Sequence, residues 1–358
     1  MGFGTYRLLK PIKRRLKPYK QAVRLSLELC DNDIKKYFTY LSRYIDLYKT
    51  RGFLPEEATK LGLLNFDGKI EEHFVSKIRM VARQKILNPP SFQDITEDKS
   101  VFYAFCAKIG VPTPKLLALF FKDSSGLHWE GKPLFGEDRW ADFFENDCPD
   151  EFVIKPSKGV YGDGIIFVEK GKAGFSGKKL FKELVNNSRY DSFVIQECLY
   201  NHPDIMNINP KHGLQTLRII TYIDKNLKVH VIHSFFKLIV NDNRIDNHKS
   251  GTTGNLLCRI NLNDGALDNP LLITKHGPVE VPNHPETNKL IKGVVLPHLE
   301  EAFDFAKKVA PHFLPMRSVG WDVAISSDGI RIIEGNARWD PPLFGCFGEN
   351  ESVFLSDL

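Results

Sequence analysis

The sequence predicts an α+β protein built from helices and mixed antiparallel sheets. Three observations lead to this prediction. Before residue 90, apolar residues recur at helical spacing, as in Ile34, Tyr37, Phe38 and Leu41. After residue 110, short runs rich in β-branched and aromatic residues follow one another. Several of these runs are joined by short turns and not by helices, which favours antiparallel pairing over an alternating βαβ order.

The composition is that of an ordinary globular protein. The chain has 358 residues, of which 42% are hydrophobic and 26% charged, and this length is sufficient for two or three compact lobes. The six cysteines occur singly, without a CxxC pair, which argues against a disulfide framework or a zinc site and favours a reducing compartment. No apolar run reaches the length of a membrane span. These features predict a cytoplasmic protein.

The positive net charge comes from the N-terminal segment. Residues 1–20 contain seven Lys or Arg and no acid, and subtracting these seven charges from the net charge of +5 leaves −2. The basic residues therefore belong to a tail and not to a folded face, which argues against nucleic acid as a partner. Two alternatives stay open for this tail. It is a solvated segment, or it makes a peripheral contact with an anionic surface, such as the inner face of the membrane.

Proline and glycine positions divide the chain into predicted elements. Asn88-Pro89-Pro90 predicts a boundary near residue 90, since proline disfavours a helical residue before it and donates no backbone hydrogen bond. A helix is predicted at about 97–109, before Gly110, and further amphipathic helices at 178–187 and around 290–309. The predicted strands are 152–155, 165–169, 193–197, 217–223, 229–236, 319–325 and 330–334.

A glycine-rich loop lies between the first two predicted strands. Lys155 ends the first strand, and Gly159, Gly162 and Gly164 precede the second. Glycines let backbone N–H groups turn toward an anion, and a lysine supplies a point charge for phosphate. The segment does not match GxxxxGK[ST], and no helix follows it, which argues against a P-loop or a Rossmann turn. The loop predicts either a phosphate site or a plain structural hairpin.

The C-terminal hairpin has a predictable register. A three-residue loop at 327–329, with glycine in its last, left-handed position, would pair Ser326 with Ile330. Counting back from that pair places Asp322 directly opposite Glu334. Two acids that face each other across strands repel, with Cβ atoms about 5 Å apart, unless a cation lies between them.

These acids predict a magnesium site. Asn336 follows Glu334 by two residues and so shares its face of the strand. Oxygen ligands suit Mg²⁺, which typically keeps waters and substrate phosphates in its shell. Apolar neighbours such as Trp321 and Val323 indicate buried strands, whereas the alternative is an exposed hairpin with scattered acids. We therefore predict Mg²⁺ bound by Asp322, Glu334 and Asn336.

Nine motifs in a fixed order carry a resemblance to a known family. They are Asp98-Lys99, Gly110-Val-Pro-Thr-Pro114, Phe152-Val-Ile-Lys-Pro156, Val194-Ile-Gln-Glu197, Thr216-Leu-Arg-Ile-Ile-Thr221, Asp246-Asn247 with Gly251 to Asn255, His284-Pro-Glu-Thr287, Gly320-Trp-Asp322 and Glu334-Gly-Asn336. Each motif alone is unspecific, but the ordered set is not. From about residue 94 to residue 343 the chain resembles an ATP-grasp enzyme, and specifically the sugar-transfer-associated ATP-grasp family.

The resemblance implies a domain organisation. The ATP-grasp fold consists of two α+β lobes that grip ATP, and here it would occupy residues 91–358. The nucleotide lobe would lie at about 95–195 and the metal and substrate lobe at about 196–345. Residues 1–90 would form the basic tail and a helical N-terminal region.

The resemblance also implies roles for individual residues. ATP would be bound by Lys99, Lys155, Ser157, Gly159, Gly162 and Gly164, with Gln196, Glu197 and Leu199 around its adenine and ribose. Asp322, Glu334 and Asn336 would hold Mg²⁺, in agreement with the hairpin argument. Arg338 would steady the reacting oxygens. Arg218 and Lys237 are candidates for the γ-phosphate or an acceptor carboxylate, which a guanidinium can bind bidentately, or else they are ordinary solvent-facing strand residues.

Three functions are compatible with these residues. The first is an ATP- and Mg²⁺-dependent ligase that activates a carboxylate as an acyl phosphate for attack by an amine. The family name implies a context of sugar or surface-polysaccharide biosynthesis. The second is a kinase with a hydroxyl acceptor in the same cleft, and the third is a non-catalytic nucleotide-binding module. We favour the ligase, because all three metal ligands are present and no residue stands out as a general base for a hydroxyl.

Overall fold

A computed structural model describes residues 3–210, 213–341 and 354 of the chain. Helices form the N-terminal part and two antiparallel sheets follow, so the predicted α+β class is confirmed. The α-helices of the described residues are α1 (Phe3–Leu29), α2 (Ile34–Asp46), α3 (Pro55–Lys60), α4 (Ile70–His73), α5 (Lys77–Leu87), α6 (Asp94–Glu97), α7 (Lys99–Lys108), α8 (Gly136–Asp142), α9 (Gly177–Val185), α10 (Pro203–Ile208) and α11 (Leu299–Val309). None of these helices is long and apolar enough to cross a membrane.

The N-terminal helices pack around a small core of their own. Tyr44, Leu47 and Phe53 are completely or almost completely buried there. The basic segment that we predicted as a tail is helical from Phe3 onward and continuous with the rest of α1. A helix forms there because Lys, Arg and Leu, which dominate the segment, are good helix formers.

The predicted boundary near residue 90 is crossed by buried hydrogen bonds. The Asn88 side-chain amide donates to the carbonyl oxygens of Ser318 at 2.6 Å and Ala337 at 2.7 Å. Gln84 donates from its amide nitrogen to the carbonyl oxygen of Trp339 at 2.7 Å. The helical region is therefore fastened to the C-terminal sheet. The domain limits themselves stay a prediction, and beyond residue 341 the predicted ATP-grasp domain lies outside the described residues, apart from Phe354.

The first sheet, sheet A, has the strand order β3-β2-β1-β6-β4-β5, and each neighbouring pair is antiparallel. Its strands are β1 (Leu116–Phe121), β2 (Ser125–His128), β3 (Pro133–Phe135), β4 (Glu151–Pro156), β5 (Ile166–Glu169) and β6 (Ser192–Glu197). Helices α8 and α9 cover one face, where aromatic residues such as Trp140, Phe144 and Phe152 form the core. The predicted strands β4, β5 and β6 are confirmed, whereas β1 to β3 were not predicted.

The second sheet, sheet B, has the strand order β11-β10-β9-β8-β7-β12-β13 and is also antiparallel throughout. Its strands are β7 (Thr216–Ile223), β8 (Val229–Leu238), β9 (Leu256–Arg259), β10 (Leu271–Thr274), β11 (Gly277–Glu280), β12 (Ser318–Ser326) and β13 (Gly329–Asn336). Helix α11 packs on this sheet with a buried face that includes Ala302 and Ala306. The four predicted strands β7, β8, β12 and β13 are confirmed.

Two local predictions were wrong. Residues 290–298 are not helical, and α11 begins only at Leu299, because Pro297 and the left-handed Gly293 precede it. The hairpin loop has two residues and not three, since Ser326 pairs with Gly329. A register shift between Asp322 and Val323 then adds one residue to the partner strand. This shift offsets the error in the loop, so Asp322 does pair with Glu334, as predicted.

Candidate functional site

An open cleft lies between the end of β4 and one face of sheet B. It encloses about 630 Å³ of empty space, part of which is open solvent, a size within the usual range for small-molecule sites. The glycine loop after β4 forms one wall, and charged side chains of β7, β8, β12 and β13 form the other. Of the residues proposed from the sequence, those that line the cleft are Lys99, Lys155, Gly159, Gly162, Arg218, Lys237, Asp322 and Glu334.

The sheet B wall carries a row of charges across four adjacent strands. Asp322 on β12 pairs with Glu334 on β13 and, on its other side, with Arg218 on β7. Lys237 lies on β8, two residues beyond Phe235, the pairing partner of Arg218, so it faces the same way. Strand order and register thus bring together four residues that are far apart in the sequence.

Asp322 is held by two cations. Its carboxylate accepts hydrogen bonds from Nε and Nη2 of Arg218 at 2.6 and 3.0 Å, and Nζ of Lys237 lies 2.8 Å from its Oδ1. β12 is buried along its whole length, and Asp322 is only 4% exposed. Burial alone would raise the pKa of Asp322, but Arg218 and Lys237 hold that pKa below its usual value. Protein cations therefore compensate this acid, which we had expected to need a metal ion.

Asp246 lines the cleft next to these residues. Its pKa is shifted upward, whereas that of Asp322 is shifted downward. Its Oδ2 accepts hydrogen bonds from the backbone N–H of Thr216 at 3.0 Å and from the Thr216 hydroxyl, and Nζ of Lys237 lies 3.8 Å away. Burial raises the pKa of Asp246, although Lys237 opposes this. Asp246 was noted in the sequence only as part of a motif. Its position in the cleft depends on a contact with a strand thirty residues away, which has no local signal.

Lys99 and Lys155 form the cationic part of the opposite wall. Nζ of Lys99 donates to the carbonyl oxygen of Gly159 at 3.0 Å and lies 3.5 Å from Oε2 of Glu334. In the described part of the chain, the partly buried ammonium group of Lys155 has no hydrogen bond or ion pair. Burial, together with the nearby charge of Lys99, lowers the pKa of Lys155 to about 8. An ammonium group in this condition is suited to bind an anion from outside the protein.

The glycine loop is held against the segment that follows β8. Gly162 has a positive φ of 72°, and an added Cβ would lie 2.8 Å from Cγ2 of Ile245. Next to it, Oδ1 of Asp163 is 2.8 Å from Nζ of Lys249. A second ion pair joins Arg244 to Glu169 at 2.8 Å. The loop is therefore fixed beside the cleft, and a side chain at position 162 would both clash with Ile245 and strain the backbone.

Other residues proposed for nucleotide binding lie just outside the cleft lining. Ser157 is buried, and its backbone carbonyl accepts from the N–H of Lys99 at 2.8 Å. The neighbouring Gly164 packs against Tyr190. In the segment proposed for adenine, the carboxylate of Glu197 accepts the backbone N–H of Lys115 at 2.7 Å.

Gln196 and Leu199 belong to the same segment and are both buried. Oε1 of Gln196 accepts a hydrogen bond from the Tyr103 hydroxyl at 3.4 Å, but its Nε2 has no partner among the described residues. Such a group costs free energy unless a ligand or water satisfies it. This unpaired donor lies in the segment for which the family resemblance implied a pocket for the adenine base.

Asn336 and Arg338 take different positions. Nδ2 of Asn336 is 3.4 Å from Oε1 of Glu334, so it lies beside the charged row. Arg338 is not among the described residues that line the cleft. Its Nη2 donates to Gln93 and its Nε lies 3.8 Å from Oε1 of Glu97.

The acidic residues were tested for their fit to a magnesium ion. Glu334, at 30% exposure of its side chain, presents oxygen atoms to the cleft beside Asp322. Each carboxylate oxygen has two lone pairs and can take part in more than one contact. The hydrogen bonds and ion pairs of Asp322 therefore leave room for a metal ion. No group of three or more His, Cys, Asp or Glu side chains suited to a metal occurs among the described residues. The two carboxylates and the amide of Asn336 fit an ion that takes its other ligands from phosphate and water.

Comparisons with known proteins agree with this architecture. Residues 81–350 match the family described as sugar-transfer associated ATP-grasp. The search of curated proteins found no match.

Among solved structures, an ADP complex of N5-carboxyaminoimidazole ribonucleotide synthetase is similar, at 12% identity and a TM-score of 0.37, over 68% of this chain and 45% of that one. D-alanyl-alanine synthetase A from Vibrio cholerae is similar at 10% identity and a TM-score of 0.40, over 74% and 61%. The ATP-grasp ligase PsnB, complexed with Mg, ADP and a variant of its minimal precursor, is similar at 14% and 0.38, over 76% and 62%. The match spans less than two thirds of each of these structures, and these likenesses concern the fold alone.

Proposed function

The chain belongs to the sugar-transfer associated ATP-grasp family, and we propose that it is an ATP- and Mg²⁺-dependent ligase. In this proposal ATP phosphorylates a carboxylate, and an amine then attacks the acyl phosphate to form an amide, with ADP and phosphate released. The family name suggests a carboxylate or amine from sugar or surface-polysaccharide biosynthesis. The observation that carries the proposal is the concentration of cations, Lys99, Lys155, Arg218 and Lys237, around one cleft with two facing acids.

The nucleotide would bind along the wall formed by sheet A. Lys99 and Lys155 would contact the phosphates, and the loop that contains Gly159 and Gly162 would cover them. The orphaned amide of Gln196 supports a base pocket near the end of β6, where we propose that Glu197 and Leu199 also contribute. Ser157 and Gly164 would act by shaping the loop, because both lie behind the lining.

We propose that Asp322, Glu334 and Asn336 hold magnesium. Bound there, Mg²⁺ would supply positive charge that neutralises part of the charge of the ATP phosphates. Glu334 is the residue best suited to change partners, since its described contacts are the long ones to Lys99 and Asn336. The ion pairs of Asp322 with Arg218 and Lys237 would keep that carboxylate ionised and oriented.

A carboxylate acceptor requires the cations of this cleft. Two unit charges at about 4 Å repel by roughly 4 kcal/mol at an effective dielectric constant of 20, enough to slow the step several hundredfold. Arg218 and Lys237 line the cleft and would offset such repulsion between the γ-phosphate and the acceptor. Arg338 would have to move from its contacts with Gln93 and Glu97 to take part directly.

One observation favours a second candidate, a kinase with a hydroxyl acceptor. Asp246 lines the cleft, and burial raises its pKa, which is the usual way to adjust a carboxylate for general base catalysis. The sequence alone had indicated no such base. The hydroxyl proton would pass to Asp246 as the oxygen attacks the γ-phosphate.

Isotope transfer distinguishes these reactions. We would supply ATP, Mg²⁺ and candidate uronic or amino acids labelled with ¹⁸O in the carboxylate, with and without an amine. Label in the released phosphate is expected for the ligase. A stable phosphorylated product that keeps its label identifies the kinase, and failure to consume ATP with any acceptor favours the non-catalytic module.

The variant Glu334→Gln tests the metal site in the same assay. We expect turnover to fall by about a hundredfold or more while the unfolding midpoint in urea changes little, because a metal contact is lost at a partly exposed side chain. Glu300→Gln, an exposed residue of α11, is the matched control and should behave as wild type. Equal turnover of Glu334→Gln and wild type at all magnesium concentrations would remove Glu334 from the site.

A further inference from the structure

We propose that the N-terminal helix hairpin is a docking surface for anionic lipid membranes, with a line of apolar side chains on α1 entering the headgroup region. Leu16, Val23 and Leu27 are exposed at 47%, 41% and 61%. At 100° per residue they lie within about 40° of one another on the helix. The sequence positions of Leu9 and Ile12 continue the same spacing.

This line is opposite the face with which α1 packs on the protein. Ala22 and Leu25 are buried in the N-terminal core and Leu29 is also buried, and Arg24 pairs with Glu56 at 3.1 Å. The exposed apolar line therefore remains outside when the core is complete. The next helix also carries exposed apolar residues, since Ile34 and Phe38, one turn apart at the start of α2, are 71% and 60% exposed.

The charge beside the apolar line identifies the partner. Exposed Lys17 and Lys20 lie next to Leu16 along α1, and residues 1–20 contain seven cations and no acid. Apolar and basic residues combined on one helix are typical of segments that lie in the interface of an anionic bilayer. A second copy of this chain fits less well, since it would bring a second line of lysines against the first.

Vesicle sedimentation with the full chain tests the proposal. Wild type should pellet with vesicles that contain phosphatidylserine, less at high salt, and poorly with phosphatidylcholine alone, because screening weakens the electrostatic part. Val23→Glu/Leu27→Glu should lower the partition coefficient about tenfold or more. Lys17→Gln/Lys20→Gln should lower it about tenfold and reduce its salt dependence.

A matched control removes two exposed apolar residues elsewhere. Ile86→Glu/Leu290→Glu changes residues that are 75% and 62% exposed and alters the net charge by the same amount as Val23→Glu/Leu27→Glu, so it should bind as wild type. Thermal melting checks that all variants fold. The proposal is overturned if wild type does not pellet, if Val23→Glu/Leu27→Glu pellets like wild type, or if that variant only converts a dimer into a monomer. If Val23→Glu/Leu27→Glu pellets like wild type, the contact is only a general electrostatic attraction to anionic surfaces. If that variant only converts a dimer into a monomer, the surface binds a second copy of the chain.

Discussion

The two walls of the cleft differ in how far their buried charges are compensated by other residues of the protein. On sheet B, Asp322 is almost completely buried, and Arg218 and Lys237 compensate it directly. On the sheet A side, the ammonium group of Lys155 lacks a partner among the described residues, and its pKa is lowered to about 8. The charge of Asp322 is compensated within the protein, whereas no hydrogen bond or ion pair of the described residues neutralises the charge of Lys155.

This difference indicates that the ion pairs of Asp322 serve the folded structure, whereas Lys155 serves ligand binding. Buried ion pairs contribute little net stability but become very costly when one partner is removed. An uncompensated buried cation lowers stability until an anion arrives, and the binding of that anion then recovers the loss. Mutation of Asp322 should thus change folding stability, whereas mutation of Lys155 should change ligand affinity.

The largest effect is expected for Asp322→Ala. The substitution leaves Arg218 and Lys237 buried without their carboxylate, so the free energy of unfolding should fall by about 3–5 kcal/mol, as measured by urea denaturation. Asp328→Ala is the control in the same hairpin, where the exposed side chain should change stability by less than about 0.5 kcal/mol. Equal stability of the two variants would contradict the structural role of this wall.

A smaller effect on the opposite wall is expected for Lys155→Met. Methionine keeps most of the side-chain volume and removes the unfavourable buried charge, so the free energy of unfolding should stay the same or rise. ATP affinity, measured by calorimetric titration with Mg²⁺, should fall about 10- to 100-fold, the equivalent of a hydrogen bond to a charged group. Lys158→Met alters an exposed lysine of the same loop that pairs with Asp94 at 3.2 Å, and it should bind ATP normally. A loss of stability in Lys155→Met comparable to that of Asp322→Ala would make both walls structural.

The smallest effect is a proton taken up on ATP binding. At a pH slightly above 8, much of Lys155 in the free protein is deprotonated, since its pKa there is about 8 instead of 10.5. The phosphates favour the charged form and raise that pKa, so binding should take up roughly half a proton or more. Calorimetry in buffers of different ionisation enthalpy measures this number. Lys155→Met should take up none, and an uptake equal to that of wild type would assign the proton to another group.

The sequence predicted the strands around the cleft better than the register in which they pair. Strands β4 to β8, β12 and β13 were recognised because each is a short apolar run beside glycine or polar residues. Strands β1 to β3, strands β9 to β11 and the helix boundary at Leu299 were not predicted. The pairing of Asp322 with Glu334 was predicted correctly from a loop that was one residue too long, and the register shift next to Asp322 offset that error. Agreement at one pair therefore did not establish the whole register.

Local pattern by itself determined the α+β class, the glycine loop after Lys155 and the two strands of the last hairpin, since side-chain alternation and turn chemistry act over a few residues. Only the tertiary structure decided that Asp322 is neutralised by Arg218 and Lys237, that Asp246 joins them, and that Lys155 stays without a partner in the described chain. These contacts join strands up to about a hundred residues apart. Their formation depends on the order in which strands pack into a sheet, which is set by the burial of a shared core and not by the sequence near any one of them.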